Sequence, residues 1–310
     1  MTTAFLSHSD CLSHHNPEGH PESVARLEAI QQRMSAPEFD GLMRIEAPLC
    51  SDEDILLAHP AAHLSAMKAA SPESGFQFID GDTSLSPGSL QAACRAVGAN
   101  VKAVDMVLSG QVQNAFCATR PPGHHAEQLQ AMGFCFFGNV VIGAKHALER
   151  HGLSRVAVVD FDVHHGNGTQ DLVWDDPRTL FASTHQMPLY PGTGSASETG
   201  ASGNVVNVPL VPYADGSDLR AAFEQEILPA LHQHKPEMVF ISAGFDAHAR
   251  DPLANLHFTE EDFAWATRVL CDFAKDTCQG RVVSTLEGGY DLQALAASVA
   301  AHVGVLMEQT

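Results

Sequence analysis

A chain of 310 residues with 45% hydrophobic content can bury a sizeable core, as one large α/β domain or two ordinary ones. Its 37 acidic against 17 basic residues give a formal charge of −20, which argues against a nucleic-acid surface and suits attraction of cationic substrates. No uninterrupted apolar run reaches the roughly 18 residues of a membrane span, so no membrane partner is expected. The N-terminus lacks a basic and apolar leader, and seven scattered cysteines without Cys-x-x-Cys spacing fit a reduced, cytoplasmic compartment.

In chain order, the opening to about Asp10 predicts a short strand, followed by a polar loop from His14 to Glu22. Val24, Leu27, Ile30 and Met34, spaced by three and four, predict a helix from Ser23 to Met34. A strand over Leu42 to Ile45 lies between loops near Pro37 and Pro48, and the acids after Ser51 mark a helix start. Ser89 to Leu108 is the clearest helix, with Ser89 as cap, Leu90, Ala93, Val97, Val101, Val104 and Leu108 as apolar stripe, and Gly110 as its end. Asn114 to Thr119 reads as a strand running into Arg120-Pro-Pro-Gly-His124-His125, and Val140 to Arg150 as a helix ended by Gly152.

The run Val156 to Val159 is too short and too β-branched for a helix and reads as a buried strand. It empties into Asp160-Phe-Asp162-Val-His164-His165-Gly-Asn167-Gly. In an extended chain side chains two apart share a face, so Asp160, Asp162 and His164 are expected to point the same way. Unpaired buried charge is expensive, and a cation would satisfy these groups.

Further strands are expected over Thr179 to Ser183, Val205 to Leu210, Met238 to Ser242 and Arg281 to Leu286. Between them lie helices over Asp218 to His234, with Pro229 as a kink or break, and Thr259 to Cys271, with Thr259 and Asp262 at capping-box spacing. A last helix covers Leu292 to Met307. Strands alternating with helices, with no linker, predict one α/β domain over residues 1–310, a parallel sheet wrapped by helices on both faces. The polar clusters all follow strands, and in open α/β sheets sites lie at the carboxyl ends of strands, so four segments converge on one edge.

Asp162 and His164 are the first two candidate metal ligands. Asp246, a carboxylate past a glycine at a strand's end, is the natural third, since one extended segment rarely supplies a catalytic metal's geometry. Two carboxylates and one imidazole with an open position match catalytic Zn²⁺ and also suit Fe²⁺. An Asp-x-His alone is weak evidence; the signal is its combination with the other clusters. His124 and His125, presented by a rigid Arg-Pro-Pro-Gly turn, suit proton transfer near neutral pH, with Asp160 and Asn167 as candidates to fix their tautomers. Tyr290, after two glycines, suits donation to a developing oxyanion, although a Tyr there is more often a turn residue. His59, His63, His146, His232, His234 and His302 fall in helical patterns and are expected to be structural.

Arg120-Pro-Pro-Gly-His124-His125, Asp160-Phe-Asp162-Val-His164-His165-Gly-Asn167-Gly, Ser242-Ala-Gly-Phe-Asp246 and Leu286-Glu-Gly-Gly-Tyr290 resemble the signature segments of the zinc-dependent histone deacetylase family. Order and spacing agree over nearly the whole chain, and the Asn167 and Leu-Glu-Gly-Gly-Tyr forms are closer to its class II branch, which includes bacterial amidohydrolases. The resemblance implies an arginase–deacetylase α/β fold with a parallel sheet of about eight strands and a zinc site at its edge. It implies Asp162, His164 and Asp246 as zinc ligands and His125 as general base and then acid, with His124 as its electrostatic partner. Asp160 would orient His124, Asn167 would orient His125, and Tyr290 would bind the substrate carbonyl. Gly133, Phe134, Tyr190 and Leu253 would line a narrow acyl-lysine tunnel. A structural K⁺ would take Asp160, Asp162, His164, Ser183 and Thr184.

The implied reaction is hydrolysis of an N-acetyl or other short acyl amide on lysine, so the implied partner is an acyl-lysine peptide or protein. An acetylated polyamine is the rival substrate, and a catalytically weak acyl-lysine binding module the rival class. Three departures stand out. Ser23-Val24-Ala25 interrupts the family's usual loop before Arg26, Tyr190 replaces the commoner Phe, and Leu253 follows Asp251-Pro252 where polyamine-selective relatives place an acid. Nothing in the sequence specifies an oligomeric state.

Overall fold

Eight strands pair in parallel to form one sheet in the computed structural model, which describes residues 2–309. The strands are β1 (Thr3–Ser7), β2 (Met43–Glu46), β3 (Gln77–Phe78), β4 (Ser84–Leu85), β5 (Asn114–Cys117), β6 (Val156–Asp160), β7 (Thr179–Gln186), β8 (Val205–Leu210), β9 (Val239–Ala243) and β10 (Val282–Leu286). The helices are α1 (Val24–Met34), α2 (Asp52–Ile55), α3 (Ala61–Ala70), α4 (Ser89–Leu108), α5 (Asn139–Glu149), α6 (Asn167–Val173), α7 (Gly216–Ala222), α8 (Leu228–His234), α9 (Glu260–Thr277) and α10 (Leu292–Glu308). The sheet order is β2-β1-β5-β10-β9-β6-β7-β8, while β3 and β4 form a separate antiparallel pair.

Period-two alternation along each strand divides the core between the two faces. Phe5, Phe116, Val159 and Ile241 pack with α1, α9 and α10 on one side. Ala4, Leu6, Val158 and Phe240 pack with α4 and α5 on the other. Because both of their faces are covered, the central strands β6, β9 and β10 are buried along their whole length, which is why the sequence identifies them, whereas the edge strand β2 is mostly exposed. Among the described residues no helix is long and apolar enough to cross a membrane.

Boundaries shift where local chemistry competes with pattern. The first strand stops at Ser7, because His8 begins a 3₁₀ turn over Ser9–Leu12 by accepting the Asp10 N–H. Ser89 is not the cap of α4: Gly88 occupies that position with a left-handed backbone, and the Ser89 hydroxyl meets the Ser86 N–H at 2.8 Å and His14 Nδ1 at 2.7 Å. β7 runs on to Gln186, three residues beyond expectation, paired with β8 from Phe181 onward. The helix expected over 218–234 starts earlier, where Asp215 Oδ1 accepts the Ser217 N–H, and it does not break at Pro229. A π turn over Phe223–Ile227 joins α7 to α8, with the Leu228 N–H reaching Phe223 O. That widened turn carries the helix past a proline that cannot donate. α9 continues from Cys271 to Thr277, and its start is held by Asp262 Oδ2, which accepts the Thr259 N–H at 2.9 Å.

His302 ties α10 to its neighbours from inside the core, bonding Thr267 Oγ1 at 2.6 Å and Ser284 Oγ at 2.8 Å. Burial depresses its pKa to about 3. The unfolded chain therefore takes a proton that the folded chain refuses, so stability is full above about pH 6.5 and falls as the pH drops toward 3, by up to about 1.4 kcal/mol per unit. The urea midpoint is expected to fall on acidification from about pH 7 to about pH 4, and less steeply in His302→Gln. An equal slope in both proteins contradicts the assignment.

Candidate active site

The central strands β5, β10, β9 and β6 are neighbours, and each releases its polar segment at the same carboxyl edge. β6 ends at Asp160, and the chain then bends, so the expected shared face breaks down within the motif. Asp160 Oδ2 meets His124 Nδ1 at 3.0 Å, while its Oδ1 accepts the Asp162 N–H at 3.0 Å. Only Asp162 and His164 turn toward Asp246.

Those three interlock. His164 Nδ1 lies 3.2 Å from Asp162 Oδ1 and 3.0 Å from Asp246 Oδ2. The second oxygen of each acid is held from behind: Asp162 Oδ2 accepts the Gly288 N–H at 2.8 Å, and Asp246 Oδ1 accepts the Val163 N–H at 2.9 Å. The Gly288 contact needs a glycine, since a Cβ there would collide with both carboxylates. All three side chains are buried, and one ligand atom from each lies within 4.8 Å of the others.

Burial would raise Asp162, but the positive charges of His124 and His164 hold it well down; Asp246 is raised by burial and then by Asp162. Burial alone would lower His164, yet hydrogen bonds to both acids lift it to about 10. Two buried carboxylates facing one imidazole leave net negative charge even with that ring protonated. A divalent cation would neutralise it by displacing the ring proton, so the donor set fits a metal.

A second trio, Asp105, His146 and His151, also has ligand atoms within 4.8 Å but is built differently. Both imidazole Nε2 atoms meet the single oxygen Asp105 Oδ1, at 2.8 and 2.7 Å. His146 Nδ1 is buried without a partner, so its proton belongs on Nε2, where it bonds Asp105. A ligating imidazole needs the reverse tautomer.

Beside the first trio stand the two histidines of the β5 loop, rings 4.0 Å apart. Glu287 Oε2 accepts the N–H groups of Gly123 and His124, fixing the loop that presents them. Asn167 Nδ2 donates to Glu127 Oε1 at 2.7 Å, which turns Asn167 Oδ1 toward His125 Nδ1, also at 2.7 Å. Because that oxygen only accepts, Nδ1 carries the proton and His125 Nε2 is left basic.

The two rings are driven apart electrostatically. Burial would depress His124, but the charges of Asp162 and Asp160 raise it well above 6.5. Burial and then the charge of His124 push His125 well below 6.5. Environments that push neighbouring imidazoles in opposite directions suit acid–base chemistry.

The trio opens into a cavity of about 230 Å³, lined by Asp82, His125, Gly133, Phe134, His164, Leu189, Tyr190, Leu253 and Tyr290. Each expected tunnel residue, Gly133, Phe134, Tyr190 and Leu253, is on its wall, as is Tyr290. Phe134 faces the Tyr290 ring edge-on at 6.1 Å, and Tyr190 stands 5.2 Å from the His125 ring. Tyr290 is held by its N–H, which donates to Asp251 Oδ2 at 2.7 Å, and by Arg26, whose guanidinium lies 4.8 Å from its ring. Burial raises its phenol well above 10, so it remains a donor. Arg26 also bonds the carbonyls of Glu287 and Gly289 and pairs with Glu22, which in turn binds Arg120.

Asp82 and Leu189 were not anticipated. Asp82 comes from the loop between β3 and β4, far from any sheet strand's end, and only the Asp80-Gly-Asp82-Thr turn marks it. Glu287 lies within a recognised motif, but a lone Glu among glycines gives no hint that it grips another loop. Ser183 is the cross-strand partner of Asp160, and the adjacent Thr184 hydroxyl is buried without a partner.

A family model described as the histone deacetylase domain matches residues 20–306. Histone deacetylase 14, chloroplastic, of Arabidopsis thaliana is 40% identical over 306 residues, covering 92% of this chain and 72% of that protein. The histone deacetylase-like amidohydrolase of Pseudomonas aeruginosa is 38% identical over 277 residues, covering 88% and 73%. The solved HDA15 HD domain superposes with a TM-score of 0.94 at 33% identity, covering 99% of this chain and 88% of that one.

Proposed function

Because the chain belongs to the histone deacetylase family, and so is a deacetylase of amide bonds, we propose that it removes acetyl or other short acyl groups from lysine side chains. The observation that carries this reading is the pair of adjacent imidazoles, 4.0 Å apart and backed by Asp160 and Asn167, beside a buried Asp–His–Asp trio. Asp162, His164 and Asp246 would hold Zn²⁺ or Fe²⁺, which when bound supplies Lewis-acid polarisation of the scissile carbonyl and acidifies the attacking water.

The chain's own groups do the rest. His125 Nε2 takes the proton as water attacks the amide carbon. The Tyr290 hydroxyl donates to the carbonyl oxygen as negative charge develops there, and the His124 imidazolium, anchored on Asp160, offsets that charge. His125 then returns its proton to the amine nitrogen as the C–N bond breaks, releasing lysine and the carboxylic acid. Phe134 and Tyr190 flank the alkyl stem. A K⁺ near Asp160, Asp162, His164, Ser183 and Thr184 would suit the hydroxyl oxygens there and brace the β6–β7 edge.

Asp82 on the wall favours one second reading, because its carboxylate suits a further ammonium group on an acetylated polyamine. Turnover of an acetyl-lysine peptide is compared with that of acetylated putrescine and spermidine; preference for the peptide supports the lysine reading and preference for the amines replaces it. In the same assay Tyr290→Phe is expected to lower kcat by about 10²–10³-fold with metal content unchanged. Near-normal turnover refutes the role given to the phenol. A pure binding module has no use for this donor or for two poised histidines.

A further inference from the structure

Of the seven cysteines, five are buried; Cys50 and Cys94 are the two that solvent reaches. These two are neighbours. Cys50 lies in the loop after β2, and its N–H donates to the Cys94 carbonyl on α4 at 3.1 Å. That bond puts the two backbones in direct contact, the proximity a disulfide requires. The approach is tight because Gly98 lets the Pro48 carbonyl and Cys50 N–H lie directly on the helix, where a Cβ would collide with both. The thiols hydrogen-bond each other.

We propose that Cys50 and Cys94 are a reversible disulfide site, closed by hydrogen peroxide and opened by thiols. The hydrogen bond is asymmetric: it lowers the Cys94 thiol below its ordinary value and, with burial, raises Cys50. With Cys94 as the attacking thiolate, closure runs in two steps. The Cys94 sulfur attacks one peroxide oxygen, forming an S–O bond as the O–O bond breaks and hydroxide leaves. The Cys50 sulfur then attacks the sulfenic sulfur, the S–S bond forms, and the departing oxygen leaves as water with the Cys50 proton. Two thiols lose two electrons and peroxide gains them. The bond closes the segment from Cys50 to Cys94, which carries α2, α3 and the β3–β4 pair with Asp82 on the cavity wall.

The full-length chain is treated with peroxide, unfolded, and its thiols counted and its peptides mapped without reduction. Two of the seven thiols are expected to disappear, in one cross-linked peptide joining Cys50 to Cys94, and to return with dithiothreitol. In Cys50→Ser, which cannot close the bond, dimedone is expected to label Cys94. Seven surviving thiols, a cross-link through any other cysteine, or a dimedone label confined to other positions overturns the proposal.

Discussion

Replacing His125 with alanine is expected to lower kcat on an acetyl-lysine peptide by about 10²–10⁴-fold, the contribution of one positioned proton-transfer group, while metal content stays at the wild-type level. The expectation follows from the hydrogen-bond chain behind the ring. Glu127 orients the Asn167 amide, the amide oxygen holds the Nδ1 proton, and Nε2 faces the cavity unprotonated. The pH profile carries the same signature. Burial and the charge of His124 place the His125 pKa well below 6.5, so activity is lost only as the pH falls through that depressed value. The limb of kcat/KM should lie below about pH 6.5. Asn167→Leu, which removes the tautomer lock, should lower kcat with KM little changed. A His125→Ala enzyme of normal kcat would remove His125 from the chemistry.

Much of this site is legible in the sequence because its parts sit where regular structure stops. β6, β9 and β10 are buried runs covered on both faces, so their ends are sharp, and Asp162, Asp246 and Tyr290 stand just past them. Period-two alternation failed at Asp160 because the strand ends there and the Asp160 carboxylate caps the bend by taking the Asp162 N–H. Asp82 was invisible because a two-strand hairpin outside the sheet brings it to the wall. Helix α3 is legible only as a helical pattern around His63, without bounds, because its sequence is mostly alanine and polar residues and its buried side rests on His63, Leu64 and Met67. His63 is structural, as its helical pattern suggests: its Nε2 meets the Phe136 carbonyl at 2.8 Å. The π turn before Pro229 is likewise a backbone solution that no residue pattern announces.

Loss of the cation should cost more than loss of any one proton-transfer group, because it removes polarisation of the carbonyl and activation of the nucleophile together. Asp246→Ala is expected to abolish high-affinity metal binding and to lower turnover by more than about 10³-fold. Asp162, His164 and the Gly288 N–H cannot replace the missing oxygen.

The decisive measurement is turnover of an acetyl-lysine peptide by the wild-type chain, freed of metal by a chelator with removal checked by elemental analysis, then titrated with Zn²⁺ or Fe²⁺. Activity should vanish with the metal and return in full as one equivalent binds, and Asp246→Ala should not be rescued at that stoichiometry. Undiminished turnover by verified metal-free protein would contradict the account at its root.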